Sequence, residues 1–422
     1  MSRAVDAFWG LPPTVGVSVS GAAPTARWIV LEPRELDLPD PRRILLPELR
    51  PVRGEPILNA RTAAGEEAGL AGRLEDGSVE LAYDPDATVR ALIWRRALTV
   101  RRPLAARMPF HYHRVPASVR RLLRDLLTRR QGAADGYPAW PGDPSVEAAR
   151  LVYLRARQVV EPGLEPAPFW PDGKRYALAL THDVDTAAGL DVARSMATDE
   201  GERGLRSCWY LVGEGYPQPA AALDELRSAG GELGLHDVHH DNKIAFLDRE
   251  DIAARLDGAR DRIEGLGARG FRSPSLLRSA ALYDVLEDRF EYDSSIPDSG
   301  LLPTRNGCAT VFPFERGRLP ILPLTVPPDG QLLGRGLSPK QVVAAWMAKV
   351  EWVASLGGAA VHLTHPEQGF SASADMRAAY REFLDWAADQ AAGPAWHALP
   401  VEIVEHWVSR STAPASAEAP PA

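Results

Sequence analysis

Three of the chain's ten histidines fall within five residues, in the run His236-Asp237-Val238-His239-His240-Asp241. His236 and His240 are four apart, so one helical turn would set both imidazoles on one face. Two imidazoles plus a carboxylate are a donor set that zinc and similar borderline-soft divalent ions accept, with a fourth position left for water in catalytic sites. Carboxylates are available upstream in Thr181-His182-Asp183-Val184-Asp185-Thr186. Asp183 and Asp185 are two apart, so in extended backbone their side chains point the same way. Two like charges held close repel unless a cation lies between them or one is protonated. Under the metal reading His239 points elsewhere, as a surface or supporting group; the competing readings are a pair of helix-capping acids and a polar histidine loop.

Further titratable groups close other apolar runs. They are Arg272-Ser273-Pro274-Ser275, Tyr292-Asp293-Ser294-Ser295, and Val361-His362-Leu363-Thr364-His365-Pro366. Each alone has an ordinary explanation, as a surface arginine, a capping aspartate or a satisfied histidine. Five such endings in order point to one common site.

The elements that must position them alternate. Strand patterns at Tyr176 to Leu180, Ser207 to Val212, Glu232 to Leu235, Phe271, Tyr292 and Ala360 to Leu363 are separated by helical ones. The helices are predicted at Leu190 to Thr198, Ala220 to Arg227, Asp251 to Leu266, Ala280 to Phe290, Val342 to Leu356, Met376 to Ala391 and Val401 to Val408. This alternation predicts an α/β fold, a parallel sheet or barrel with helices outside. In such a barrel the reactive groups sit at the C-terminal ends of the strands.

With those motifs in that order, about 245 residues of the chain resemble the polysaccharide deacetylase family, the NodB-homology or carbohydrate esterase family four domain. The resemblance implies a distorted (β/α) barrel of about seven strands. Thr181-His182-Asp183-Val184-Asp185 is similar to the family's first motif in a branch whose two aspartates are separated by one residue. It implies Asp183 as general base and Asp185 as metal ligand. His236 and His240 fit His-x-x-x-His and complete the ligand set. Arg272 and Pro274 fit Arg-x-Pro, with Arg272 orienting Asp183. Asp293 fits the fourth motif and His365 in Leu363-Thr364-His365-Pro366 the fifth, which implies His365 as general acid tuned by Asp293. The backbone N–H of Ser275 is expected at the oxyanion. Thr186, Ser275 and Asp241 stand where the family has glycine, an aromatic residue and proline, which points away from secreted chitin and peptidoglycan deacetylases.

The implied reaction is hydrolysis of an N-acyl, foremost N-acetyl, amide on a sugar or polysaccharide precursor. The expected cofactor is a divalent metal, Zn2+ first, with Co2+, Mn2+, Fe2+ or Ni2+ as alternatives. The expected substrate is an N-acylated sugar, a nucleotide-sugar or a lipid-linked saccharide. Two alternatives stay open: a deformylase or other C–N (imide) hydrolase on the same site, and a catalytically inactive carbohydrate-binding barrel.

The remaining features bound the setting. Of 422 residues, 45% are apolar and 25% charged, and the formal net charge is -8. That suits a soluble globular protein and argues against nucleic acid as partner. Two cysteines make no disulfide framework. The opening MSRAVDAFWGLPP lacks a signal-peptide pattern, and no run is apolar enough to span a bilayer. A cytoplasmic enzyme is therefore expected. Residues 90–130 hold twelve arginines and one acid, Asp125. Within them 119–130 reads as a basic amphipathic helix, either packed on the barrel or touching anionic lipid at the inner face of the membrane. His111 and His113 lack neighbouring acids and make a poor metal site. The expected division is an accessory α+β region with its linker over 1–145, a catalytic domain over 146–410 and a disordered tail over 411–422.

Overall fold

The computed structural model describes residues 4–12, 14, 16–19, 28–32, 44–47, 49–62, 65–98, 100, 102, 140–298 and 307–412. The predicted basic helix 119–130, the histidines at 111 and 113, most of the linker and residues 413–422 of the tail lie outside the described residues.

The N-terminal part forms a six-stranded sheet of β1 (Val17–Val19), β2 (Trp28–Glu32), β3 (Ile44–Pro47), β4 (Glu55–Thr62), β5 (Glu67–Arg73) and β6 (Val79–Leu81). Its spatial order is β1-β6-β5-β4-β2-β3, antiparallel except for the β1–β6 pair. Helix α1 (Ala4–Trp9) precedes it, and α2 (Pro85–Ala97) follows it, started by Asp84, whose carboxylate accepts from the Ala87 N–H at 3.0 Å. Helix α3 (Ser145–Val160) faces this sheet, not only the barrel it was expected to open. Ser145 Oγ accepts from the Leu45 N–H at 2.7 Å, and the Tyr83 hydroxyl donates to the Ala149 carbonyl at 3.0 Å. On its other side Glu147 accepts from the Thr310 hydroxyl at 2.7 Å, and the Arg150 guanidinium lies 3.9 Å from the centre of the Phe8 ring. These contacts tie the first sheet, through α3, to α1 and to the chain around Thr310.

The second sheet is a curled α/β barrel. Strands β7 (Tyr176–Val184), β8 (Ser207–Leu211), β9 (Glu232–Leu235), β10 (Gly270–Phe271), β11 (Tyr292–Asp293), β13 (Leu319–Ile321) and β14 (Ala359–Thr364) run parallel in the order β14-β7-β8-β9-β10-β11-β13. This is the distorted barrel of about seven strands that was expected. Every residue of β7 is buried, as in a parallel strand covered on both faces. Three strands were not predicted: β13 itself, β12 (Phe314–Arg316), its antiparallel hairpin partner, and β15 (Ala395–His397), which pairs with the start of β7. Closure uses irregular chain. The Leu324 N–H donates to the Ile296 carbonyl at 2.9 Å and the Val326 N–H to the Val361 carbonyl at 3.0 Å, bridging the β11 side to β14.

The outer helices α4 (Ala187–Gly201), α5 (Ala220–Ser228), α6 (Arg249–Gly258), α7 (Arg260–Leu266), α8 (Ala280–Leu286), α10 (Pro339–Ser355), α11 (Ala374–Ala392) and α12 (Pro400–Thr412) follow the predicted alternation, and the short α9 (Asp329–Gly334) was not predicted. The segment expected as one helix over Asp251 to Leu266 is broken at Ala259 into α6 and α7. Gly267 at φ 60 ends α7 in the left-handed conformation that glycine adopts without strain. Among the described residues no helix is long and apolar enough to cross a membrane.

Candidate metal centre

The ends of β7 and β9 bring Asp185, His236 and His240 together, with one ligand atom of each lying within 4.8 Å of the others. His240 Nε2 is 3.4 Å and His236 Nε2 is 3.6 Å from Asp185 Oδ1. Donors at roughly 2.0–2.1 Å from one tetrahedral ion are separated by roughly 3.3 Å, so the spacing fits a zinc-sized cation. The tautomer fits as well. His236 Nδ1 is 2.9 Å from the Arg272 carbonyl, so it carries the proton and leaves the Nε2 lone pair facing Asp185. Burial pushes His240 down to about 4 and also lowers His236, so both rings are neutral near pH 7, as ligation requires.

The local backbone differs from the expected helical turn. Residues 236–242 form an irregular loop, with Asp237 at φ 59 and Asn242 at φ 61. The two imidazoles still meet, with ring centres 5.1 Å apart. Arg255 of α6 holds the loop by donating to Asp237 Oδ2 at 2.9 Å, Asp241 Oδ1 at 3.0 Å and the His239 carbonyl at 2.6 Å. Asp241, which stands where proline was expected, thus fixes the loop through an ion pair. His239 is half-buried and directed away, its Nδ1 3.7 Å from Glu214 Oε2.

Asp183, the last but one residue of β7, lies beneath this cluster with Oδ2 3.7 Å from His236 Nε2. Arg272 is fully buried and donates to Asp183 Oδ1 at 3.1 Å, Thr181 Oγ1 at 2.8 Å, the Ser294 carbonyl at 3.0 Å and Ser294 Oγ at 2.9 Å. Its guanidinium also lies 4.0 Å from the centre of the Tyr210 ring. Burial by itself would raise the Asp183 carboxyl, yet the positive charges around it, Arg272 among them, hold it below the usual range. Asp183 is therefore an ionised carboxylate inside the barrel mouth.

His365 follows β14 and approaches from the opposite side, its Nε2 4.0 Å from Asp183 Oδ2. Its carboxylate partner corrects the expectation for Asp293. His365 Nδ1 is 2.6 Å from Asp329 Oδ1, and Asp329 Oδ2 accepts from the His365 N–H at 2.9 Å and the Ser371 hydroxyl at 2.7 Å. Burial works against protonation of His365, but the buried Asp329 charge outweighs it and holds the imidazole up at about 10. Asp293 instead accepts from the Ser295 N–H at 2.9 Å and the Ser295 hydroxyl at 2.6 Å, while Ser295 Oγ accepts from the Ser273 N–H at 2.8 Å. It braces the strand end that carries Arg272, and burial raises it to about 6. Asp329 was missed because it opens α9 in a Pro-Pro-Asp-Gly run, well away from any strand end. The signal was a lone acid at a helix start, which is too common to single out.

Ser275 is exposed in the turn after Arg272, where Ser275 and Leu276 both have positive φ, 53 and 55. Two consecutive non-glycine residues in that region mark a strained turn of the kind found at functional sites.

No family model matches the chain, and no curated protein matches it. Solved structures do resemble it. A structure from Mycobacterium smegmatis assigned as a polysaccharide deacetylase shares 23% identity, covers 60% of this chain and 97% of its own, and has a TM-score of 0.48. The Puue allantoinase shares 14% identity over 58% of this chain and 95% of its own, with a TM-score of 0.42. A family 4 carbohydrate esterase from Streptomyces lividans, solved with acetate, shares 16% identity over 51% of this chain and 90% of its own, with a TM-score of 0.36. At these identities and scores, function must be read from this chain's own side chains.

Proposed function

We propose that the chain is a metal-dependent hydrolase of N-acyl sugars, a deacetylase of the NodB-homology type. The observation that carries this reading is the convergence of Asp185, His236 and His240 beside an ionised Asp183 and a protonated His365. Asp185 Oδ1, His236 Nε2 and His240 Nε2 would hold the ion. A divalent cation there supplies Lewis acidity toward an acyl carbonyl and acidifies water.

Asp183 is the base that takes a proton from the attacking water. Arg272 keeps it charged and aimed through the direct hydrogen bond to Asp183 Oδ1, while the Thr181 hydroxyl and Ser294 hold the guanidinium in place. His365, charged through Asp329, gives its Nε2 proton to the departing nitrogen. Two titratable groups whose surroundings push them in opposite directions, Asp183 down and His365 up, form a base–acid pair across the site. The Ser275 N–H is the proposed oxyanion donor, a contribution typically worth about 3 kcal/mol. The barrel to residue 410 is the proposed catalytic unit, and the N-terminal sheet with α2 and α3 an accessory to it. The proposed substrate is an N-acetylated saccharide, including nucleotide- or lipid-linked forms.

The test is acetate release from a panel of such N-acetylated sugars, with formyl and cyclic-imide compounds alongside, before and after chelation. Acetate release that stops with chelator and returns with zinc supports the reading. Turnover of the imide or formyl compounds alone would move the assignment to another C–N hydrolase. A metal-loaded protein inert toward every compound would favour a binding barrel.

A further inference from the structure

We propose that Glu367 is a positioning residue that sets Asp185 for the metal and ties it to the loop carrying His365; this rests on reading Asp185, His236 and His240 as the metal site. Glu367 follows His365-Pro366 and is almost fully buried. Its Oε1 accepts from the Asp185 N–H and the Thr186 N–H, both at 3.0 Å, and its Oε2 accepts from the Thr186 hydroxyl at 2.7 Å. The Thr186 hydroxyl in turn accepts from the Gly189 N–H at 3.0 Å, which starts α4. One carboxylate thereby fixes the backbone on both sides of the Asp185 Cα and the first turn of the following helix. The same short loop returns to His365, because the Ser371 N–H donates to the His365 carbonyl at 3.1 Å.

A second feature on a different element says the carboxylate has a built place. A Cβ on Gly189 would lie 2.0 Å from Glu367 Oε1 and 2.6 Å from its carboxyl carbon. Gly189 is helical and its φ is not positive, so backbone freedom does not call for glycine here. In a helix glycine is the least favourable residue after proline. The close approach of Glu367 accounts for it. Thr186, which replaces the glycine expected after the first motif, gains a role as the hydroxyl that links Glu367 to α4.

A carboxylate that aims a metal ligand without touching the ion should change affinity more than fold. The experiment is Zn(II) titration of the full chain against a chromogenic competitor, with thermal melts as the check on folding. The set is the wild type, Glu367→Ala, Glu367→Gln, Gly189→Ala and the Glu367→Ala/Gly189→Ala double variant. Loss of an outer hydrogen-bond partner typically weakens metal affinity about 10–100-fold, and that loss is expected for Glu367→Ala. Glu367→Gln keeps an oxygen for both N–H groups and should stay within about 3-fold of wild type, since the bonding geometry that orients the ligand is retained. Gly189→Ala should reproduce the Glu367→Ala loss by displacing the carboxylate, and the double variant should lose no more than either single one. Wild-type affinity in folded Glu367→Ala, or losses that multiply in the double variant, would overturn the proposal. Should Glu367→Ala not fold, Gly189→Ala alone decides, with unchanged affinity overturning it. A wild-type chain that takes up no zinc would overturn the metal-site reading itself, and this inference with it.

Discussion

Strands β7 and β14 end at the candidate site and are packed against the outer helices behind it, and the two regions treat histidine oppositely. At the mouth, His236, His240 and His365 converge on Asp183 and Asp185. Behind the same strands, His182 and His362 are fully buried against the outer helices. His182 is one residue from Asp183, yet its Nδ1 meets Thr364 Oγ1 at 2.7 Å, its Nε2 lies 3.0 Å from Glu200, and its ring stacks 4.0 Å from Trp209. His362 packs 4.4 Å from Trp346 and 4.6 Å from Phe383, and its ring nitrogens have no hydrogen-bond partner among the described residues. Strand alternation decides which side a residue serves. A histidine beside a proposed catalytic aspartate in sequence is therefore no guide to function until its face is known.

The contrast can be broken from the mouth first. Asp183→Asn removes the proposed base while leaving shape and the proposed metal ligands in place, so turnover should fall by about 10²–10⁴-fold while zinc stays bound. Full activity in a zinc-loaded Asp183→Asn protein would remove Asp183 from the mechanism. Arg272→Met strands the buried Asp183 charge, and denaturant titration should show a loss of about 3–5 kcal/mol, with activity falling in parallel. A loss below about 1 kcal/mol would mean that the Asp183–Arg272 pair is exposed in solution, because surface pairs contribute no more than that.

Asp329→Asn acts through His365. The carboxylate raises the imidazole toward about 10, so its removal must lower that value and shorten the range of pH in which the acid carries its proton. The alkaline limb of the kcat/KM profile should move to lower pH, whereas Asp293→Asn should leave that limb in place. If the limb follows Asp293 instead, the assignment of partners is reversed.

The smallest effect is expected behind the strands. His362→Phe should leave activity unchanged and shift stability at pH 7 by less than about 1.5 kcal/mol, since a similar shape replaces a ring with unsatisfied nitrogens. Burial holds His362 down at about 3, so below about pH 6.5 the unfolded chain binds a proton that the folded chain refuses. Stability contributed by this site is therefore lost as pH falls from about 6.5, by up to about 1.4 kcal/mol per pH unit. His362→Phe should flatten that acid dependence, as read from thermal melts between pH 4 and 7. Loss of activity in a well-folded His362→Phe protein would erase the distinction between the two faces.

The sequence made the barrel legible because its strands are short apolar runs punctuated by polar chemistry. Asp183, Asp185, Arg272 and His365 were found at such ends. Asp329 was not, since it acts from a helix start 36 residues before its partner. Glu367 was overlooked beside the more conspicuous His365-Pro366. The N-terminal sheet was only weakly legible. Strand β4 alternates poorly in burial, and β5 contains Gly69 and Gly72, where a Cβ on Gly72 would lie 2.3 Å from the Arg53 carbonyl oxygen. Strands β12 and β13 are three residues each, with Pro313 just before β12 and Pro320 inside β13, too short for any period to show.

The most direct measurement of the central claim is metal content after dialysis, on the wild type and on Asp185→Ala, His236→Ala and His240→Ala. One tightly held zinc per wild-type chain, with each folded variant retaining little or none, is the predicted result. Equal zinc retention in all four proteins would contradict it, because the ion would then be held somewhere other than between these three side chains.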